Sequence, residues 1–235
     1  MADDELHQNF ILSALPVTEL ELLRPQLRVT DAQVRDQVYE PGKPISDLHF
    51  PISAVFSLVG AADRELQIEI ATIGREGMVG LPVFLGRSVS PHASFCQIPG
   101  RTAVLPADSL QSILSDDGAL HTLLSRFTQA TMVQIAQNVV CNGVHSVSQR
   151  AARWLLITHD RAGRDEFQLT QEFLGQMLGS RRPTVSETAS RLQAQGLIRY
   201  SRGRVTIVSR PGLEEASCPC YAIVKAEFDA LATGS

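Results

Sequence analysis

Residues 169–196 read LTQEFLGQMLGSRRPTVSETASRLQAQG, and the order of caps, turns and apolar positions in this stretch decides the fold of the C-terminal half. Thr170 is placed to cap a short helix starting at Gln171, because a threonine hydroxyl accepts from an orphan N–H of the first turn. Phe173, Leu174, Met177 and Leu178 supply that helix with a buried face. Gly179-Ser180 reads as a tight turn with a capping serine. A second helix follows from Arg181 to about Gln195, with Val185, Ala189 and Leu192 turned inward and Gly196 as its stop. Pro183 is tolerated because it falls in the first turn, where a missing N–H costs nothing. Helix, glycine-containing turn and helix make the helix-turn-helix plan, whose second helix enters a DNA major groove. The residues placed to reach DNA are Arg181, Arg182, Thr184, Ser186 and Glu187, with Ser180 and Thr170 beside them. Arg182 suits a guanine edge, and Thr184 or Ser180 a phosphate. Glu187 either accepts from a cytosine amino group or pairs with Arg191 one turn on.

Outward from this stretch, Leu197-Ile198-Arg199-Tyr200 and Arg204-Val205-Thr206-Ile207-Val208 alternate around Ser201-Arg202-Gly203, so they read as a hairpin. Its tip carries Arg202 and Arg204, a basic wing suited to the phosphate backbone. The charge agrees. The net charge is −4 overall, but −7 over residues 1–145, +6 over residues 146–210 and −3 beyond. Every basic residue in the positive segment is arginine, the side chain that grips phosphate and guanine in a forked geometry.

The front half is organised differently. Residues 10–27 carry apolar residues at helical spacing, with Pro16 interrupting and Thr18 a restart, which predicts one or two short helices. Val38-Tyr39 runs into the turn Glu40-Pro41-Gly42. Residues 48–59, the alternating Leu66-Gln67-Ile68-Glu69-Ile70, and residues 94–98 and 102–105 read as strands. Short strands punctuated by turns suggest a β-roll or barrel. After Pro106 the pattern becomes helical. Leu120, Leu124, Phe127, Thr131, Ile135 and Asn138 or Val139 share one side of a helix of more than twenty residues, ended by Gly118 and Asn142-Gly143. That side packs on the β-domain or on its twin in a parallel dimer. A further helix, roughly residues 145–159, carries Ala151, Trp154, Leu155 and Ile157 toward a core.

With these residues in hand, the sequence resembles the CRP/FNR superfamily of bacterial regulators. Residues 169–186 match its helix-turn-helix closely. Tyr39-Glu40-Pro41-Gly42 and the run from Gly74-Arg75-Glu76-Gly77 through Met78-Val79-Gly80 look like its β-roll turns. Residues 141–160 are similar to a branch whose effectors are undefined. The resemblance implies an α+β chain: a cyclic-nucleotide-binding-like β-roll jelly roll (residues 1–115), a long dimerisation helix (116–143), and a winged helix-turn-helix with a C-terminal extension (144–235). It implies a homodimer on a near-palindromic double-stranded DNA site, with RNA polymerase a candidate partner. The effector pocket would fall at Gly77, Val79, Gly80, Leu81, His92 and Ser94. Two departures stand out. Where the family's cyclic-AMP binders carry Gly-Glu and then Arg-Ser, this chain has Gly80-Leu81 and His92-Ala93-Ser94, with Arg87 out of register. Leu81 cannot accept from a ribose hydroxyl, and a cyclic phosphate lacks its fixed positive charge, so the usual cyclic-AMP mode is not expected. In the recognition helix Pro183 and Glu187 replace a Glu and an Arg, so the DNA site differs from the known consensus types.

Four cysteines in 235 residues make no disulfide scaffold and suit a reducing cytoplasm. An acidic N-terminus gives no secretory signal, and no apolar run reaches membrane-spanning length. Cys218-Pro219-Cys220 is a C-x-C pair. Cys141 and His145 are four apart and offer soft ligands of the same type, but the plain reading makes Cys141 a core residue and His145 a helix start. A redox- or metal-responsive regulator using Cys218 and Cys220 therefore stands as an alternative, as does a ligand-binding module without specific DNA readout. No metal site and no cofactor is assigned; haem through His92 or His121 would rest on a lone histidine. Gly74-Arg75-Glu76-Gly77 lacks the Lys-Ser/Thr of a phosphate loop and reads as a turn. With no Gly-x-Ser-x-Gly, His-Glu-x-x-His or paired acids, no catalytic residues are assigned.

Overall fold

The computed structural model describes residues 5–61, 67–115 and 117–233; Leu66 and residues 1–4 and 62–65 lie outside them. Two short helices, α1 (Phe10–Ser13) and α2 (Val17–Leu23), lead in, with Pro16 as the cap of the second. Among the described residues seven strands follow: β1 (Arg28–Ala32), β2 (Gln37–Tyr39), β3 (Asp47–Pro51), β4 (Val55–Ala61), β5 (Gln67–Ile73), β6 (Ala93–Ile98) and β7 (Gly100–Pro106). They pair antiparallel in two sheets of order β1-β7-β3 and β2-β6-β4-β5. Leu48, Phe50, Phe56, Met78 and Leu105 fill the interior. Strand β1 escaped the periodicity reading because it is an edge strand with little burial.

Helix α3 (Leu81–Phe84) and helix α4 (Ala107–Ile113) lead to the long helix α5 (Ala119–Val144). Helix α5 runs past Asn142-Gly143, and His145 caps it. The side of α5 assigned above to either core or dimer belongs to the chain's own core: Leu120, Leu124, Phe127 and Thr131 are buried. Further along, Asn138 Nδ2 donates to the Ile70 carbonyl of β5 at 2.6 Å. Ile135 and Asn138 are half-buried, and the opposite side of α5 leaves Met132, Val139, Val140 and Val144 in solvent.

The C-terminal half opens with α6 (Val147–Ala162), begun by a capping box between Ser146 and Gln149. Helices α7 (Gln171–Met177) and α8 (Arg182–Ala194) precede the hairpin β9 (Ile198–Ser201) and β10 (Arg204–Ile207). A short strand β8 (Glu166–Gln168) adds to the hairpin to give the order β8-β10-β9. Two further helices close the chain, α9 (Arg210–Ala216) and α10 (Cys220–Thr233). Trp154, Leu155, Phe173 and Leu178 share one buried cluster with Val55, Val59, Phe95 and Ile98 of the β-roll. The Phe95 and Phe173 rings meet edge-on at 6.0 Å. The C-terminal half thus builds its core partly from the outer face of the β2-β6-β4-β5 sheet.

A buried ion pair locks the same junction. Arg161 Nε of α6 donates to Glu76 Oε1 at 2.5 Å, with only 6% and 7% of the two side chains exposed. Arg161 also donates to Gln134 Oε1 of α5 at 2.6 Å and lies 4.9 Å from the centroid of the Phe228 ring of α10. Glu76 in turn accepts from the Gly74 N–H. The turn after β5 is therefore a tie between four elements as well as a change of direction.

Candidate nucleic-acid interface

The helix-turn-helix follows from local chemistry. Thr170 caps α7, its hydroxyl accepting from Phe173 N–H at 3.1 Å. Gly175 sits inside α7, where glycine costs about 1 kcal/mol relative to alanine. A β-carbon there would stand 3.0 Å from the Ser180 carbonyl oxygen, so the bare backbone lets the second helix approach the first. Gly179 takes the left-handed conformation at φ 57°. The cap of α8 is Arg181, not Ser180. The Ser180 hydroxyl donates to Leu178 O at 3.3 Å and accepts from Arg150 Nη2 at 3.3 Å. Arg150 also donates to Asn142 Oδ1 of α5 at 2.6 Å and Leu178 O at 2.9 Å. A brace from the long helix to the recognition turn thus occupies the serine. Arg150 was invisible to motif reading because its partners lie up to 30 residues away.

Val185, Ala189 and Leu192 are buried, while Arg181, Arg182, Pro183 and Thr184 are exposed at the start of α8. Ser186 is half-buried, and Glu187 is exposed and paired with Arg191 at 3.1 Å. In the wing, Arg202 and Gly203 both have positive φ, 50° and 73°, the backbone of a two-residue type I′ hairpin. Leu169 N–H donates to Gly203 O at 2.8 Å, and Tyr200 Oη donates to Leu169 O. Burial pushes that phenol up to about 12. These bonds hold the wing turn against the start of α7, where a β-carbon on Gly203 would lie 3.7 Å from Thr170 Cγ2. Arg202 is exposed. Arg204 is held by Glu166 of β8 at 3.1 Å, a carboxylate that also accepts from Thr206 Oγ1 at 3.5 Å. Exposed pairs of this kind are worth about 0.2–1 kcal/mol, so a phosphate can compete for Arg204.

Of the six residues assigned to an effector pocket, Gly77, Val79, Gly80 and Leu81 follow β5, while His92 and Ser94 lie just before and on β6. A β-carbon on Gly77 would strike the Phe127 ring at 2.1 Å, and one on Gly80 would strike Leu48 Cδ2 at 2.4 Å. Val79 is fully buried and bridges His49 in both directions, at 2.8 and 3.1 Å. Leu81 opens α3. His92 lies near Gly60. A half-open cavity of about 210 Å³ lies between α6, α10 and the Glu76 turn, lined by Phe10, Arg75, Tyr221 and Phe228 among others, and a small polar one of about 30 Å³ lies around Glu69, Gln134 and Arg153.

Residues 149–216 match the family model described as a Crp-like helix-turn-helix domain. The C-terminal half is thereby placed: residues 149–216 form a Crp-like helix-turn-helix domain. The chain is 26% identical over 218 residues, covering 86% of either protein, to the transcriptional regulatory protein btr of Bordetella pertussis. Its fold is that of FixK2 from Bradyrhizobium japonicum (TM-score 0.68, 16% identity, 82% of this chain and 98% of that one). A CRP-family transcriptional regulator from Thermus thermophilus is similar too (TM-score 0.65, 17% identity, 80% and 96%). Among the described residues, no helix is long and apolar enough to cross a membrane.

Proposed function

We propose that the protein works as a cytoplasmic homodimer that reads a near-palindromic DNA site and regulates transcription there. The observation that carries this reading is the exposed Arg181-Arg182 pair at the start of a helix whose other side is fully packed, with the arginine-tipped wing tied to the same motif. Arg182 reads base edges, and Arg202 and Arg204 hold phosphates. Thr184 and Ser186 lie on the first turns of the same helix. Glu187 faces solvent and exchanges Arg191 for a cytosine amino group on docking. RNA polymerase is the partner that such a regulator recruits or blocks.

The dimer forms along the solvent side of α5, through Met132, Ala136, Val139, Val140 and Val144. A stripe of large apolar side chains along a 26-residue helix supports a second copy of the same helix as its cover. The β-roll is the regulatory half. Cyclic AMP in the usual mode is not its ligand, because Leu81 supplies no acceptor and Gly80 is packed against Leu48. The test is selection from a randomised duplex pool at two salt concentrations, followed by Arg182→Glu. A two-fold-symmetric site should be enriched above a salt-sensitive background, and the variant should fold yet lose that site. Salt-sensitive binding with no enriched sequence would remove base readout, and unchanged binding by the variant would remove Arg182 from it.

A further inference from the structure

Three cysteines and a histidine meet where the long helix ends and the last helix begins. Cys141 lies in the last turn of α5, and His145 is its cap. Cys218 lies between α9 and α10, and Cys220, beyond Pro219, is the first residue of α10. One ligand atom from each lies within 4.8 Å of every other, although the two halves of the cluster are far apart in sequence. Cys141 Sγ is 3.4 Å from Cys218 Sγ, and Cys220 Sγ is 3.5 Å from His145 Nδ1. These are not disulfide distances, for bonded sulfurs lie about 2.0 Å apart. They are close to the edges of a metal tetrahedron. Bonds of about 2.3 Å to sulfur and 2.05 Å to nitrogen place sulfurs roughly 3.8 Å apart and sulfur and nitrogen roughly 3.6 Å apart.

The surroundings point the same way. The three cysteines are buried together, 1–2% exposed, in a cluster separate from both apolar cores. Thiols gathered away from other apolar side chains add little as packing. Gln137, one turn before Cys141, donates its Nε2–H to Cys220 Sγ at 3.0 Å. Such outer hydrogen bonds orient and moderate a thiolate ligand.

We propose that Cys141, His145, Cys218 and Cys220 form a tetrahedral Zn²⁺ site. Three thiolates and one imidazole make a closed ligand set, with no position left for water or substrate, so the ion is structural. On binding, the three thiols lose their protons to solvent and the imidazole coordinates in its neutral form. The ion staples the end of α5 to the start of α10, and so fixes the long helix against the C-terminal half. This assignment rests on the ligand geometry alone and stands apart from the DNA reading.

The test uses the full-length protein, purified anaerobically under reductant without chelator. Elemental analysis should find about one zinc per chain. After metal removal and a thiol count, titration with Co²⁺ should saturate at one equivalent. It should give the intense visible bands of tetrahedral cobalt together with thiolate charge transfer, both erased by Zn²⁺. Cys218→Ser and His145→Ala should lose or alter that spectrum. Cys96→Ala should keep it, since Cys96 sits in β6 with its thiol pushed up to about 12, chiefly by burial. Folded, fully reduced protein that takes up no cobalt, or that gives an octahedral spectrum, overturns the site whatever the variants do. Iron with acid-labile sulfide in the purified protein overturns the zinc assignment.

Discussion

Replacing Glu76 by Leu should be among the most damaging single changes in the molecule, and the reason can be put in numbers. The carboxylate and the Arg161 guanidinium are both at least nine-tenths buried, and Arg161 Nε meets Glu76 Oε1 at 2.5 Å. Removing one partner of such a pair leaves the other charge without compensation and costs about 3–5 kcal/mol. For 235 residues, an unfolding entropy of about 2.1 cal/mol/K per residue turns this into a fall in Tm of roughly 6–10 °C. Glu76→Leu with Arg161→Met removes both charges and should recover a large part of the loss. The coupling measured around the cycle should be about 2 kcal/mol or more. Urea denaturation followed by Trp154 fluorescence is the assay. Trp154 is the only tryptophan, and its indole N–H donates to Glu69 Oε1 at 2.8 Å in the same junction. A single variant that loses less than about 1 kcal/mol, as an exposed pair would, refutes the reasoning. So does a double variant whose loss is the sum of the two singles.

Three other outcomes are expected. Glu166→Gln should release Arg204 from its 3.1 Å partner and raise duplex affinity two- to fivefold, in line with about 0.4–1 kcal/mol for an exposed pair; an anisotropy titration showing weaker binding would mean that the pair positions the arginine for phosphate. Val139→Asp with Val144→Asp should shift sedimentation from dimer to monomer without loss of helical circular dichroism, whereas Leu124→Asp should unfold the chain, because Leu124 is fully buried. Burial pushes the His49 imidazole down to about 4, against the smaller opposing effect of Asp47. The unfolded state, with a pKa near 6.5, therefore binds the proton first, so this contribution to stability is complete above about pH 6.5 and is lost as the pH falls toward 4, by about 2 kcal/mol at pH 5. His49→Gln should flatten that limb of the stability–pH curve, and an unchanged slope between pH 6.5 and 4 would show that other groups set it.

The helix-turn-helix was legible because each of its parts is a local signal. A threonine cap, a left-handed glycine and two apolar faces all lie within 28 residues. The strands of the β-roll were legible where one face is buried and invisible in β1, where only one residue is buried, and in the three-residue β8. The long helix shows the limit of periodicity. It has two apolar sides, and spacing alone cannot say that Leu120, Leu124 and Phe127 face the chain's own core while Val139 and Val144 face out. The effector residues were transferred by resemblance, and packing against Phe127 and Leu48 is a property of the folded neighbours. Far beyond the reach of any local pattern are Glu76 with Arg161, 85 residues apart, and Cys141 with Cys218, 77 apart. Each residue type was visible, but no local pattern says that they meet.

The shared core between Phe95 and Phe173 also bears on how the chain is made. During synthesis the β-roll leaves the ribosome first, with Val55, Val59, Phe95 and Ile98 still uncovered until some eighty further residues emerge. A nascent chain in that state shows a sticky sheet face to the cell, the surface that chaperones hold. For the same reason the two halves are poor candidates for shuffling. A DNA-binding half excised at the end of the long helix, or grafted behind a foreign sensor, would carry Phe173, Met177 and Leu178 as surface, and each graft would need its new neighbour to supply the missing wall.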